Sequence, residues 1–592
     1  MHRVLHALAT EHCATLEAAA TTEEWILRPA RRRAAARALL AAGDLTAKSD
    51  TAHVARIARL AALGRTEGLA LDDEAAVRAA YAALPAPPER KLPAVTLGVL
   101  CALVALGLVG IGVKIALRPF AADKSALGAS FAQRFGGHVA DVANGKRPSP
   151  EEGLDRVFPG RALPEPVRPA MSALFAAQLE AAHDPTRMSD LYARTRDVNQ
   201  AFMLTHEPYY LDARYYQRSP LLYAFYKERE DEAEAPGYAK ERVVFLWRLD
   251  RLNLSKAALG YTHREADAAL VLYDQIEEEL IVRVLPGLAE GEKVELVDDD
   301  SRDSNKAWQS DIESRSARMV RESFASAADR AELVELGTLL ARRRAILRKW
   351  KVELATQNAT LNEPRRLVPE ADYLTELRLR VPTESRHEWE SIHDRLTSRR
   401  VLATFEALRD RFAEDVARHE AQHRFDGQRT ASCETDKPCE SLVIPDAVRR
   451  RVGPEAGIKV PLGSMPSRVR SETSAYLAEM TRPGGMPKMT LLGLLPTVLD
   501  RRAWGDVYCN TTLVLLDVLA EELKLGTGDE SMPLVVRGAV QRGAVSSLVV
   551  LLFDKPDAEL AAAAGRAWAR LFGAPLPPVT MTRKSQEKRW RH

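Results

Sequence analysis

The sequence predicts a mainly α protein with an α+β middle region: an N-terminal helical segment, one transmembrane helix and a large soluble helical domain. Three observations carry this. Helix-forming Ala, Leu, Arg and Glu dominate the 592 residues, and aromatic residues make up only 6%. One uncharged apolar run, Pro93 to Val113, reaches the roughly 20 residues that cross a bilayer as a helix. From residue 315 onward apolar side chains recur at helical spacing, whereas aromatic and β-branched runs are confined to the middle of the chain.

Residues 1–89 read as a small helical cytoplasmic region. One helix runs through Arg31–Leu40 and stops near Gly43; a second spans Asp72 to Leu84 and is ended by the prolines at 85–88. The Arg31-Arg32-Arg33 cluster reads as a solvated helix face. Residues 93–117 form the predicted transmembrane helix, flanked by Arg90 and Lys91 on one side and by Lys114 and Arg118 on the other. It lies too deep in the chain for a cleaved signal peptide, so it is expected to act as a single-pass anchor. The upstream arginines lean the N-terminus to the inside. With an Ala/Arg bias typical of GC-rich bacteria, the expected location is the bacterial inner membrane, with the C-terminal region periplasmic.

Residues 118–310 are expected to form a mixed α/β soluble region. Leu221–Tyr226 and Val243–Leu249 have strand character, and Val294–Val297 reads as a further short strand. Thr262 followed by Glu265 is a capping-box pattern, predicting a helix that ends at Pro286-Gly287. The aromatic cluster from Tyr209 to Tyr226 reads as core or sheet edge. Asp298 to Ser304 reads as a charged break. Residues 311–576 follow as the helical region, with long helices over Ala317–Leu361 and Arg386–Phe425, and 577–592 as a basic disordered tail. A net charge of +2 gives no field for a nucleic-acid partner. Five cysteines are too few for a disulfide scaffold, but Cys433 and Cys439 share one polar loop and are expected to pair in an oxidising compartment.

The chemistry lies in His419-Glu420-Ala421-Gln422-His423. On a helix, residues four apart share a face, so both imidazoles reach one metal ion while Glu420 borders that face. Phe405, Leu408, Phe412 and Val416 lead into the motif at helical spacing, which puts the histidines on the buried stripe, and Gly427 is expected to end the helix. Buried polar groups need a partner, and a metal supplies one. Downstream, Ser471 is expected to cap a helix carrying Glu472, Tyr476 and Glu479. His206-Glu207-Pro208 lacks a second histidine, and His387 and His393 fall on different helix faces. No P-loop, dinucleotide fingerprint or Gly-x-Ser-x-Gly occurs.

These two stretches resemble the gluzincin group of zinc metallopeptidases, which pair His-Glu-x-x-His with a glutamate from a second helix. The resemblance covers about 60 residues. It implies Zn2+ held by His419, His423 and Glu472, with Glu420 as general base towards a zinc-held water, and a peptide or protein substrate. Glu479 is the rival third ligand, and Asp426 a candidate partner for a ligating histidine. Two features depart from the group's pattern. The 60 or so residues before the motif read as helix where a substrate-binding edge strand is usual, and no histidine follows His423 until His592. Oxyanion stabilisation then falls to Tyr476, with Tyr508, Arg468 and Arg470 as alternatives. The expected function is a membrane-anchored zinc metallopeptidase. The alternative is a non-enzymatic, membrane-anchored envelope scaffold or signalling protein with a structural or vestigial metal site. The sequence carries no reading of oligomeric state.

Overall fold

The computed structural model describes residues 73–84 and 126–584, apart from breaks at 161–162, 217–218, 251–258, 264, 290–291, 297–306, 325–329, 356–363, 365, 370, 435–436, 454, 456 and 526–532. The expected transmembrane helix at 93–117, the Arg31–Arg33 cluster and the Asp298–Ser304 break lie outside the described residues. Among the described residues, no helix is long and apolar enough to cross a membrane. The chain divides into two compact units, Met1–Val113 and Lys114–His592. In the first, helix α1 (Glu74–Ala83) is capped by Asp73, whose carboxylate accepts hydrogen bonds from the amides of Ala75 and Ala76.

The second unit is mainly helical around a central sheet. It opens with α2 (Ala126–Ser130), a π-turn over Phe131–Phe135, then α3 (Gly136–Ala143), α4 (Pro150–Val157), α5 (Val167–His183) and α6 (Met188–Leu204). Phe131 packs edge-on against Phe135, Phe158 and Phe202, forming the aromatic heart of this layer. The sheet follows: β1 (Tyr209–Tyr216), β2 (Ser219–Glu234), β3 (Glu241–Arg248), β4 (Gly260–Tyr261) and β5 (Ala269–Leu272), in the order β1-β2-β3-β5-β4. β1, β2 and β3 are antiparallel neighbours, β5 runs parallel to β3, and β4 is an antiparallel edge strand on β5. A register shift between Lys227 and Arg229 bends β2. The sheet curls until its two ends meet: the Tyr261 hydroxyl on β4 donates to Asp212 Oδ2 on β1 at 2.9 Å. Alternation sorts the side chains. Leu211, Ala213, Leu222 and Ala224 join the N-terminal helical layer, whereas Tyr210, Tyr223, Phe225, Val244 and Tyr261 fill the inside of the curl.

Beyond the sheet run α7 (Tyr273–Glu279), α8 (Ala307–Ser323), α9 (Arg330–Ala355), α10 (Ala371–Arg380), α11 (Thr383–Leu396) and the 31-residue α12 (Arg399–Arg429). Then come α13 (Asp446–Val452), α14 (Met465–Met480), α15 (Pro487–Leu499), α16 (Val507–Leu523), the hairpin β6 (Val535–Val536) and β7 (Ala539–Val540), α17 (Arg542–Phe553), α18 (Asp557–Phe572) and β8 (Thr580–Arg583). The apolar stripe of α12 lies in the core as its spacing predicts, with Phe405, Leu408, Phe412 and Val416 all buried. They share one continuous core with Val243, Phe245 and Val271 of the sheet, so the mixed and the helical regions build one body.

Several local expectations are corrected. Thr262 and Glu265 cap no helix; a loop leads into β5, and the helix starts only at Tyr273. Val294–Leu296 is not a strand; Val294 is a buried side chain whose amide bonds Glu313 O at 3.4 Å. Arg386–Phe425 is broken between α11 and α12, and α12 continues past Gly427 to Arg429. The basic tail is ordered at its start, where Thr580–Arg583 pairs antiparallel with Asp231–Glu234 of β2. Cys433 and Cys439 are bridged.

Candidate metal centre

α14 does not start at Ser471. Its N-cap is Ser464, with Pro466 in the first turn, where a missing N–H costs nothing. This earlier start makes α14 long enough to lie along α12 and to present Glu472, Tyr476 and Glu479 to the histidines. His419 Nε2 lies 3.1 Å from His423 Nε2, and the two lie 3.5 and 3.6 Å from Glu472 Oε2. These are the one group of metal-ligating side chains that converges among the described residues.

The outer nitrogen of each imidazole is already engaged. Glu479 Oε2 lies 3.0 Å from His419 Nδ1, and Ser471 Oγ lies 3.0 Å from His423 Nδ1. A carboxylate only accepts, so His419 donates from Nδ1 and turns the lone pair of Nε2 inward. Glu479 is itself fixed by the Thr490 hydroxyl, which donates to Oε1 at 2.7 Å. The two candidate third ligands therefore separate: Glu472 faces the inward nitrogens, and Glu479 braces the far side of His419. Asp426 is not such a brace. It accepts from Gln422 Nε2 at 3.1 Å and pairs with Arg429, in a buried polar ladder on another face of α12.

The donor set fits a zinc ion. Two nitrogens and one carboxylate oxygen are the usual protein ligands of a catalytic site, and zinc–ligand bonds of about 2.0–2.1 Å put tetrahedral donors roughly 3.4 Å apart. The observed 3.1, 3.5 and 3.6 Å bracket that spacing. At 3.1 Å the two Nε2 atoms need either a proton on one of them or a cation between them. The electrostatics agree. Burial opposes charge on His419, but Glu472 and Glu479 outweigh it and push its pKa up to about 10. Burial opposes charge on Glu472 too, yet the two histidines hold its carboxyl far below the usual range. The carboxylates and the imidazoles thus stabilise each other's charged forms.

Glu420 sits beside this group, fully buried, and burial pushes its carboxyl up. Its Oε2 has no hydrogen-bond partner among the described residues. The Tyr476 ring packs edge-on against His419, with centroids 4.3 Å apart. A cavity of about 450 Å³ opens over His419, Glu420, His423 and Glu472, and Tyr476 and Tyr508 also line it. Arg468 and Arg470 line a neighbouring cavity of about 500 Å³ instead. Arg470 is turned to the Val443 carbonyl and the Phe572 ring. Of the four oxyanion candidates, the two tyrosines share the cavity that holds His419 and Glu420, whereas the two arginines share the neighbouring one with His423 and Glu472.

β4 supplies what the residues before the motif lack. Gly260 lies against α12 so closely that an added Cβ would stand 2.7 Å from Val416 Cγ1 and 2.9 Å from Glu420 Cγ. An edge strand thus borders the cavity, contributed from more than 150 residues upstream. No sequence signal marked it, because it is two residues long and pairs only through β5. His387 and His393 lie on α11, away from this cluster. Compared with protein-family models, with curated proteins and with solved structures, the chain finds no match in any of the three.

Proposed function

We propose that the protein is a zinc-dependent metallopeptidase, anchored in the membrane through 93–117. The observation that carries this reading is the convergence of His419 Nε2, His423 Nε2 and Glu472 Oε2 next to an unpartnered, buried Glu420 oxygen. His419, His423 and Glu472 are the residues that would hold the ion. When bound, zinc acts as a Lewis acid that polarises a carbonyl and acidifies water.

The chain's own groups do the rest. Glu479 and Ser471 hold the imidazoles at Nδ1, so their orientation is set before any ligand arrives. Glu420, a carboxyl group raised by burial and free at Oε2, takes the proton of an attacking water and returns it to the leaving amine. Tyr476 and Tyr508 line the cavity with phenols held above their ordinary pKa, Tyr476 by its burial and Tyr508 first by the charge of Glu472. They therefore stay protonated and can donate to a developing oxyanion. Among the described residues β4 pairs only with β5, and its other edge would offer backbone groups to an extended peptide.

The test is zinc stoichiometry of the purified chain beside Glu420→Gln and Glu472→Gln, together with hydrolysis of a peptide library. One zinc per chain, retained in Glu420→Gln with loss of hydrolysis and weakened in Glu472→Gln, is the expected result. Absence of zinc from the correctly folded wild type would remove the enzyme reading.

A further inference from the structure

The charges of the cavity are nearly all spoken for. Glu279 pairs with Arg283, Asp415 with Arg482, Glu479 with His419, and Asp506 caps α16 at the Cys509 amide. Glu420 and Glu472 belong to the metal centre. The exception is Arg214. It projects from β1 into the same cavity, and among the described residues no carboxylate lies within ion-pair distance of it.

Its position is built. The curl of the sheet brings β1 to β4, and the Arg214 guanidinium lies 3.8 Å over the ring of Tyr261 on the edge strand. The Tyr261 hydroxyl is fixed in turn by Asp212, two residues before Arg214 on the same face of β1. Stacking on an aromatic face occupies the plane of a guanidinium and leaves its N–H fork free at the rim. That fork matches a carboxylate in two-point geometry. Among the described residues no carboxylate pairs with this half-buried cation, which leaves it for an anion from outside.

We propose that Arg214 is a specificity residue, binding a carboxylate of the peptide that lies along β4. The substrate class is thus an acidic peptide, carrying either an Asp or Glu side chain or a free C-terminus at that position. This rests on the proposed function only in taking the cavity as a peptide site. Among the described residues no hydrogen bond or ion pair joins Arg214 to His419, His423 or Glu472, so it acts on recognition.

The test uses the full-length protein in detergent, zinc-loaded and carrying Glu420→Gln to prevent turnover. Four N-acetylated octapeptides, with Glu or Gln at the centre and a free or amidated C-terminus, are titrated by calorimetry. Tighter binding of one carboxylate-bearing arm, on the order of tenfold, is expected, and the arm that gains identifies the source. Adding Arg214→Gln should erase that difference, and Arg214→Lys should restore part of it. Equal binding of all four, no binding of any, or a preference that survives Arg214→Gln would each overturn the proposal. Hydrolysis of the same peptides by protein with Glu420 intact judges the peptidase reading separately. A carboxylate preference without hydrolysis leaves Arg214 standing and removes the peptidase; hydrolysis without preference does the reverse.

Discussion

At the scale of single residues, Glu472 and Glu479 differ in which side of His419 they meet. Glu472 faces Nε2 at 3.5 Å, and Glu479 engages Nδ1 at 3.0 Å. Removing Glu472 deletes a proposed ligand, whereas removing the charge of Glu479 leaves all three ligands but loosens the tautomer and orientation of one. Glu479→Gln is therefore expected to weaken zinc binding by about 10–100-fold, with stoichiometry still recoverable at high zinc, as support residues of metal ligands typically do. Competition against a chelator measures it, and a smaller loss for Glu472→Gln than for Glu479→Gln would reverse the assignment. A second buried histidine makes the contrast with one that has no carboxylate facing its inner nitrogen. His138 stacks on Phe175 at 4.1 Å, with Arg156 Nη2 lying 3.1 Å from its Nδ1. Burial, then the Arg156 charge, lower its pKa from 6.5 to about 4. A folded pKa below the unfolded one gives stability that is complete above pH 6.5 and is lost as pH falls towards 4. The size is about 3 kcal/mol for such a shift. Urea unfolding at pH 7.5 and pH 4 should show the wild type losing that much more than His138→Gln.

At the scale of elements, the site is a contact between one edge strand and two helices. Gly260 is where strand and helix meet, and a Cβ there would stand 2.8 Å from the Leu270 carbonyl as well as close to Val416 and Glu420. The carbonyl belongs to the β5 ladder and cannot step aside, so Gly260→Ala must push β4 off α12 or displace Glu420. Hydrolysis is expected to fall by roughly a hundredfold, the cost of a misplacement near 1 Å, while zinc content stays that of the wild type. Loss of zinc together with activity would mean that the strand supports the ligands themselves. This contact also marks how far the sequence could be read. The stripe Phe405, Leu408, Phe412, Val416 and the His419–His423 pair obey helical spacing, a local regularity, and α12 follows it. β4 has no local regularity; its neighbours Thr262 and Glu265 even imitate a helix cap. β8 is hidden in the same way, because the pairing of Thr580–Arg583 with β2 brings together residues about 350 apart. Ser471 also suits a cap and so masks the true start of α14 at Ser464, whereas its hydroxyl faces His423.

At the scale of the molecule, every contributor to the centre lies between Arg214 and Tyr508, inside the second compact unit. That unit closes on itself. Its core runs from Val243 and Phe245 of the sheet through α12 to Trp568 of α18, and β8 returns the chain to β2. Among the described residues, the ligands, their braces and the walls of the cavity all belong to this second unit. The apolar run at 93–117 has a different chemistry: it is uncharged from Pro93 to Val113 and bounded by basic residues, as a membrane anchor is. Anchoring and catalysis should then separate by deletion. The wild type is expected in the membrane fraction, resisting extraction at high salt and alkaline pH but released by detergent. Deleting 93–117 should move the chain to the soluble fraction with one zinc per chain and unchanged hydrolysis of a soluble peptide. Retention of the deleted chain on membranes would assign attachment to another surface. Loss of zinc on deletion would mean that the anchor takes part in building the site, against the self-contained core seen from α2 to β8.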